Sequence, residues 1–152
     1  MFLSDQTQYF FGYLGIAAAL VFAILGAAYG TAKSAVGISS LAVIDSSKIF
    51  QGLIPIIMAG ILGIYGVIIS VIANSQIKGG EFDDKKGYTF LGAGLACGLS
   101  ALAAGLAIGV AGDAGVRAYA QTDGIFVGMI LILIFAEAIG LYGLIVSIIM
   151  IF

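Results

Sequence analysis

Charged positions divide this chain into long apolar runs. About 27 uncharged residues separate Asp5 from Lys33. A second uncharged run extends from Ile49 to Ile77 and a third from Gly87 to Gly112. A fourth extends from Gly124 to Phe152 and is broken once, by Glu137. Each of the first three satisfies the roughly 20 residues a helix needs to cross a bilayer, and the fourth does so with Glu137 counted inside. Backbone polar groups in lipid must bond within their own segment, so the runs predict helices. They are too long and too continuously apolar for the alternating strands of a membrane barrel. The expected fold is an all-α membrane protein with four transmembrane helices.

The two halves of the chain match. Gly26-Ala-Ala-Tyr-Gly30 pairs with Gly105-Leu-Ala-Ile-Gly109, and Ile49-Phe-Gln-Gly52 with Ile125-Phe-Val-Gly128. Ile64-Tyr-Gly-Val-Ile-Ile-Ser70 pairs with Leu141-Tyr-Gly-Leu-Ile-Val-Ser147. The step from Gly26 to Gly105, read in the first helix of each half, is two to three positions longer than the steps from Ile49 to Ile125 and from Tyr65 to Tyr142 in the second. The chain is therefore expected to be a duplicated helical hairpin, with repeats at 9–76 and 87–152. The polar stretch Lys78–Lys86 links them, with Gly79-Gly80 for the turn.

Helices one and three carry small residues at four-residue spacing, among them Gly26, Gly30, Gly105 and Gly109, which let backbones approach closely. Helices two and four are richer in Ile, Leu, Met and Phe, as lipid-facing surfaces should be. This predicts two layers, helices one and three inside and helices two and four outside. The glycine density on more than one face predicts a homo-oligomeric ring, because one copy cannot close the inner layer.

Composition narrows the function. The chain is 62% hydrophobic and 9% charged, with mean hydropathy +1.20, too few charges to cover a water-facing surface. Without a basic patch, nucleic-acid binding has no footprint. There is no His, and the one Cys, Cys97, reads as a packing residue, so no internal disulfide, zinc site or His-based catalysis is expected. Met1–Gln8 lacks a positive region, so the first run is expected to be a membrane span and not a cleaved signal. Charge counting leaves topology open: Lys33, Lys48 and Arg117 fall on one side, and Lys78, Lys85 and Lys86 on the other. Asp113 and Arg117 are four apart, spaced to pair along helix three, although solvated helix ends are the expected state of Lys33, Asp113 and Arg117.

Glu137 is the expensive residue. It falls near the middle of the last span, where an ionised carboxylate costs at least roughly 2.5–3.5 kcal/mol. Packing does not need an acid there. Leu133, Ile134, Gly140 and Leu141 offer it no partner on its own helix, so it should be mostly protonated, and a cationic partner would have to come from another subunit. The Tyr-Gly match aligns Glu137 with Gly60, which leaves one acid per four helices. Tyr65 lies at similar depth and is a candidate hydrogen-bond donor. Phe135 is a candidate shield, and Pro55 should kink helix two near the site.

Phe126-Val-Gly-Met-Ile-Leu-Ile-Leu-Ile-Phe-Ala-Glu137-Ala-Ile-Gly-Leu-Tyr-Gly-Leu-Ile-Val closely resembles the last helix of the proteolipid c subunit of eukaryotic vacuolar-type proton ATPases. So do Leu25-Gly-Ala-Ala-Tyr-Gly-Thr-Ala-Lys-Ser34, Ile54-Pro-Ile-Ile-Met-Ala-Gly60 and Val110-Ala-Gly-Asp-Ala-Gly-Val-Arg117. The resemblance covers nearly the whole chain and departs in the short loops around Ser39–Ser47 and Lys78–Lys86. It implies a rotor ring in the membrane sector of such an ATPase, driven by ATP hydrolysis in a separate soluble sector. Glu137 would carry H⁺, with no cofactor and no metal. An arginine of the neighbouring a subunit would force proton release, and the d subunit of the central stalk would meet the Lys33–Lys48 and Arg117–Asp123 connections on the cytosolic side. Both termini would be lumenal, in the membrane of a vacuole or another acidic compartment. Other proteolipids can share such a ring, and a paralogous proteolipid is an alternative reading. A structural tetraspan is a further one, but it leaves Glu137 without a purpose.

Overall fold

The computed structural model describes residues 2–78, 82 and 84–152, and these form long helices joined by short turns. Helix α1 is Phe2–Ile44, the short α2 is Ile49–Gly52, α3 is Ile54–Lys78, α4 is Asp84–Gln121 and α5 is Ile125–Ile151. A 3₁₀ turn, Ser46–Lys48, precedes α2. Among the described residues, four helical segments are long and apolar enough to cross a membrane: Gln6–Ile44, Ser46–Lys78, Lys85–Gln121 and Ile125–Ile151. The Gly79-Gly80 turn lies outside the described residues.

The helices outrun the apolar runs that predict them. At 43 residues α1 is about 64 Å long, roughly twice the hydrocarbon thickness. Charge alone does not end a helix; the lost hydrogen-bond ladder does. At Asp45 the backbone turns extended, with φ −147° and ψ 95°, and the side chain takes over as cap. Its Oδ1 accepts from the Ser47 N–H at 3.1 Å and from the Ser47 hydroxyl at 2.6 Å, which holds this carboxyl below the usual carboxylate range.

Pro55 acts differently from expectation. It does not kink the middle of a helix but sits, buried, in the first turn of α3, just after Leu53 separates that helix from α2. A proline lacks only an N–H that a first helical turn leaves unpaired anyway, so it is tolerated there. It is ten residues, about 15 Å, from Tyr65 and shapes the helix start, not the site.

The first and third spans form the tightest pair, α1 against α4, with α3 on α1 and α5 on α4; α1 and α5 barely touch. Gly26 and Gly30 lie against Gly105 and Gly109: a Cβ on Gly26 would stand 2.5 Å from the Ala101 carbonyl oxygen, and one on Gly109 would stand 3.0 Å from Gly30 Cα. The glycines of α4 on its other sides are filled too, Gly92 by Met150, Gly112 by Ser34 and Pro55, and Gly115 by Met129. The glycine density is therefore largely consumed inside one copy, and it is no argument for a ring by itself.

Hydrogen bonds fix the register of the duplication. Ser70 Oγ donates to the Ile16 carbonyl at 3.0 Å, and Ser147 Oγ donates to the Ala93 carbonyl at 2.6 Å. Gly66 packs on Ala19 and Ala23, and Gly143 on Ala96 and Ser100. Every member of the first hairpin's pairs reaches its counterpart by one and the same step, that from Ser70 to Ser147. The longer step from Gly26 to Gly105, read from the GxxxG match of the first helices, is thus corrected: the step between these packed pairs is two positions shorter. Two residues turn a position by about 200° around a helix. Gly26 and Gly105 are consequently not structural equivalents but occupy opposite faces of equivalent helices, and that is why they can meet.

Candidate functional site

Glu137 projects from α5 about 18 Å from Ile125 and about 21 Å from Ile151, so it sits near the middle of the span. It is 9% exposed and turned into the interface with α3. Its Oε1 accepts a hydrogen bond from the Tyr65 hydroxyl at 2.7 Å, across a sequence separation of 72 residues. Its Oε2 is buried and has no hydrogen-bond partner.

The surroundings are apolar. Leu62, Ala104, Leu133 and Ala136 belong to one buried cluster, and Tyr65 packs against it. Gly140, one turn beyond the acid, is what lets the two helices close: a Cβ there would stand 2.5 Å from Leu62 Cδ2, 3.5 Å from Ala104 Cβ and 3.6 Å from Tyr65 Cε2. Among the described residues the chain thus brings Tyr65 to the acid, and these supply it one hydroxyl and no cation. Phe135 is not a shield within this chain. It is 72% exposed and stands two residues, about 200°, round the helix from Glu137.

Charged groups gather at one end of the bundle instead. Asp113 is not a solvated helix end, since α4 continues eight residues beyond it to Gln121. It is 9% exposed and takes Lys33 Nζ on Oδ2 at 2.9 Å and Arg117 Nε on Oδ1 at 2.7 Å. The spacing of four residues made the Arg117 contact legible; nothing local announced Lys33, which approaches from α1. A second cluster ties the two connections on this side together. Lys48 Nζ lies 2.6 Å from Asp123 Oδ1, and the Tyr119 hydroxyl donates to Gln51 Oε1 at 2.6 Å. These pairs join distant parts of the chain and leave no sequence signal.

The chain matches the ATP synthase C-subunit family twice, over residues 14–73 and again over 91–150. The step from the first match to the second is the one that carries Ser70 to Ser147, the register that the serine hydrogen bonds give. The chain is 54% identical over 143 residues to the second form of the V-type proton ATPase 16 kDa proteolipid c subunit of Caenorhabditis briggsae, covering 93% of this chain and 89% of that one. It is 54% identical over 143 residues to the V-type proton ATPase 16 kDa proteolipid c subunit of Ascaris suum, with the same coverage. With the V-type proton ATPase 16 kDa proteolipid of Chrysotila carterae it shares 57% identity over 153 residues, 97% of this chain and 93% of the relative.

Proposed function

This chain belongs to the family of V-type proton ATPase proteolipid c subunits, the ring subunits of the membrane sector of a rotary proton ATPase and not its catalytic part, and we propose that Glu137 is its proton carrier. The observation that carries this reading is the half-satisfied carboxyl: one oxygen on the Tyr65 hydroxyl, the other buried and unpartnered, with no cation beside it. Burying an ionised carboxylate against apolar groups is costly, so these surroundings favour the neutral acid. Protonation at Oε2 leaves Oε1 free to keep its bond from Tyr65.

The cargo is H⁺. A metal cation would need several oxygen ligands, and the described residues offer the carboxyl and one phenol at this site. In the ring, α1 and α4 form the inner layer and α3 and α5 the outer, the arrangement favoured by the tight glycine pairing of α1 with α4. Glu137 then travels through lipid as the neutral acid. At an a subunit it loses its proton to an aqueous path, beside an arginine of that subunit, and takes another from the opposite side. The Lys48–Asp123 side faces the cytosol and the d subunit of the central stalk, and both termini are lumenal. The chain is an integral membrane protein of an acidic compartment, and its neighbours in the ring are further copies, alone or with other proteolipids.

ATP-driven acidification by membranes carrying Glu137→Gln tests this directly, with assembly of the complex checked in parallel. Loss of acidification in an assembled complex is expected. Acidification at the normal rate would make Glu137 a structural acid and return the structural tetraspan to the front.

A further inference from the structure

Two side chains of α3 reach the same place on α5. Leu62 and Tyr65 are three residues apart and share one face of α3, as Glu137 and Gly140 share one face of α5. A Cβ built on Gly140 would stand 2.5 Å from Leu62 Cδ2 and 3.6 Å from Tyr65 Cε2. Leu62 therefore fills the notch that the missing side chain leaves, and the edge of the Tyr65 ring lies beside it. Leu62 is wholly buried there, whereas Tyr65 is half-buried. The contacts on the inner side of the phenol thus carry its placement.

That placement has little slack. The Tyr65 hydroxyl stands 2.7 Å from Glu137 Oε1, and a shift of about 1 Å would end the hydrogen bond. Moreover, α3 meets α5 less extensively than it meets α1 or α4, so few contacts set the register at the acid. Resting on the proton-carrier reading above, we propose that Leu62, seated over Gly140, is a positioning residue for the proton site, acting through Tyr65 by holding its ring where the hydroxyl reaches Glu137. The side chain of Leu62 has no polar atom and donates nothing. It occupies the volume into which the ring would otherwise move, and a close-packed interior transmits such a change to its neighbours.

Leu62 and Gly140 are then a size-matched pair. A smaller side chain at 62 empties the notch, and a larger one at 140 crowds Leu62 out of it. Either change loosens the phenol and leaves Glu137 without the one hydroxyl these residues bring to it. A methyl at position 140 combined with the loss of Leu62 refills the notch from the opposite helix, at an ordinary packing distance from the Tyr65 ring.

The test uses the assembled complex in its native membrane and reads the rate at which carbodiimide modifies Glu137. Leu62→Ala and Gly140→Ala are each expected to raise that rate about two- to tenfold, the weight of one hydrogen bond. Combined, they should return it close to the parent's. In a Tyr65→Phe background neither should change it further, because the hydroxyl through which Leu62 acts is already gone. Should the cavity left by Leu62→Ala prevent assembly, Gly140→Ala with and without Tyr65→Phe carries the same comparison, since it removes no atom. Single variants that label at the parent's rate, or effects that add to that of Tyr65→Phe, overturn the role assigned to Leu62. Normal acidification by Glu137→Gln overturns the carrier reading, whereas the labelling comparison still decides whether Leu62 places Tyr65.

Discussion

The Tyr65 hydroxyl and the Glu137 carboxyl meet at 2.7 Å in the middle of the membrane-spanning bundle, one from each half of the duplication. The acid is therefore held by its own chain. The hydroxyl occupies Oε1 and leaves Oε2 buried without a hydrogen-bond partner. Tyr65→Phe removes the donor with little change of shape. The variant should assemble, and carbodiimide should modify Glu137 several-fold faster than in the parent, because the hydroxyl no longer competes for the carboxyl. Equal rates would mean that the hydrogen bond does not govern access to the acid.

The register of the duplication predicts a matched pair of effects. Ser70 and Ser147 make the same bond in the two hairpins, to Ile16 and Ala93. Ser70→Ala and Ser147→Ala should each cost about 0.6–1 kcal/mol, read as thermal unfolding in detergent, since interhelical hydrogen bonds in membranes are worth that much. A loss confined to one hairpin would contradict the equivalence.

Glycine substitutions should divide sharply by position. Gly105→Val places its branches in the backbone of α1 at Gly26, where no side chain can yield, and Gly140→Val would displace Leu62 beside the acid. Both should lose most folded protein from membranes, as overpacked cores do. Gly128→Ala should be silent, because a Cβ there meets only Ile125 Cδ1, at 4.0 Å. Comparable yields from all three would refute the close approach of α1 to α4.

The ion pairs should also separate. Asp113 is shared by Lys33 and Arg117 and is nearly buried, so Asp113→Asn should cost about 1.5–3 kcal/mol, the range for hydrogen bonds to charged groups. Asp123 meets Lys48 with its own side chain 80% exposed, so Asp123→Asn should cost much less than Asp113→Asn and its effect should vanish in high salt. Thermal unfolding at low and high ionic strength distinguishes the two.

The sequence by itself determined what depends on local chemistry. The four spans followed from apolar length, because lipid leaves a backbone no other way to satisfy its polar groups. Glu137 stood out because a carboxyl in the middle of such a span is too costly to be incidental. The helix-two match, Tyr65 with Tyr142, carried the correct displacement and paired Glu137 with Gly60. The first-helix match misled, because Gly26-x-x-x-Gly30 and Gly105-x-x-x-Gly109 are alike in composition but lie on opposite faces of equivalent helices. Only the tertiary structure decided which faces meet. It brought Tyr65 to Glu137, Lys33 to Asp113 and Lys48 to Asp123, turned Phe135 outward and moved Pro55 to a helix start. Hydropathy sums over a segment and is blind to a two-residue shift. Packing is not, since that shift swings every side chain about 200° and exchanges one neighbour for another.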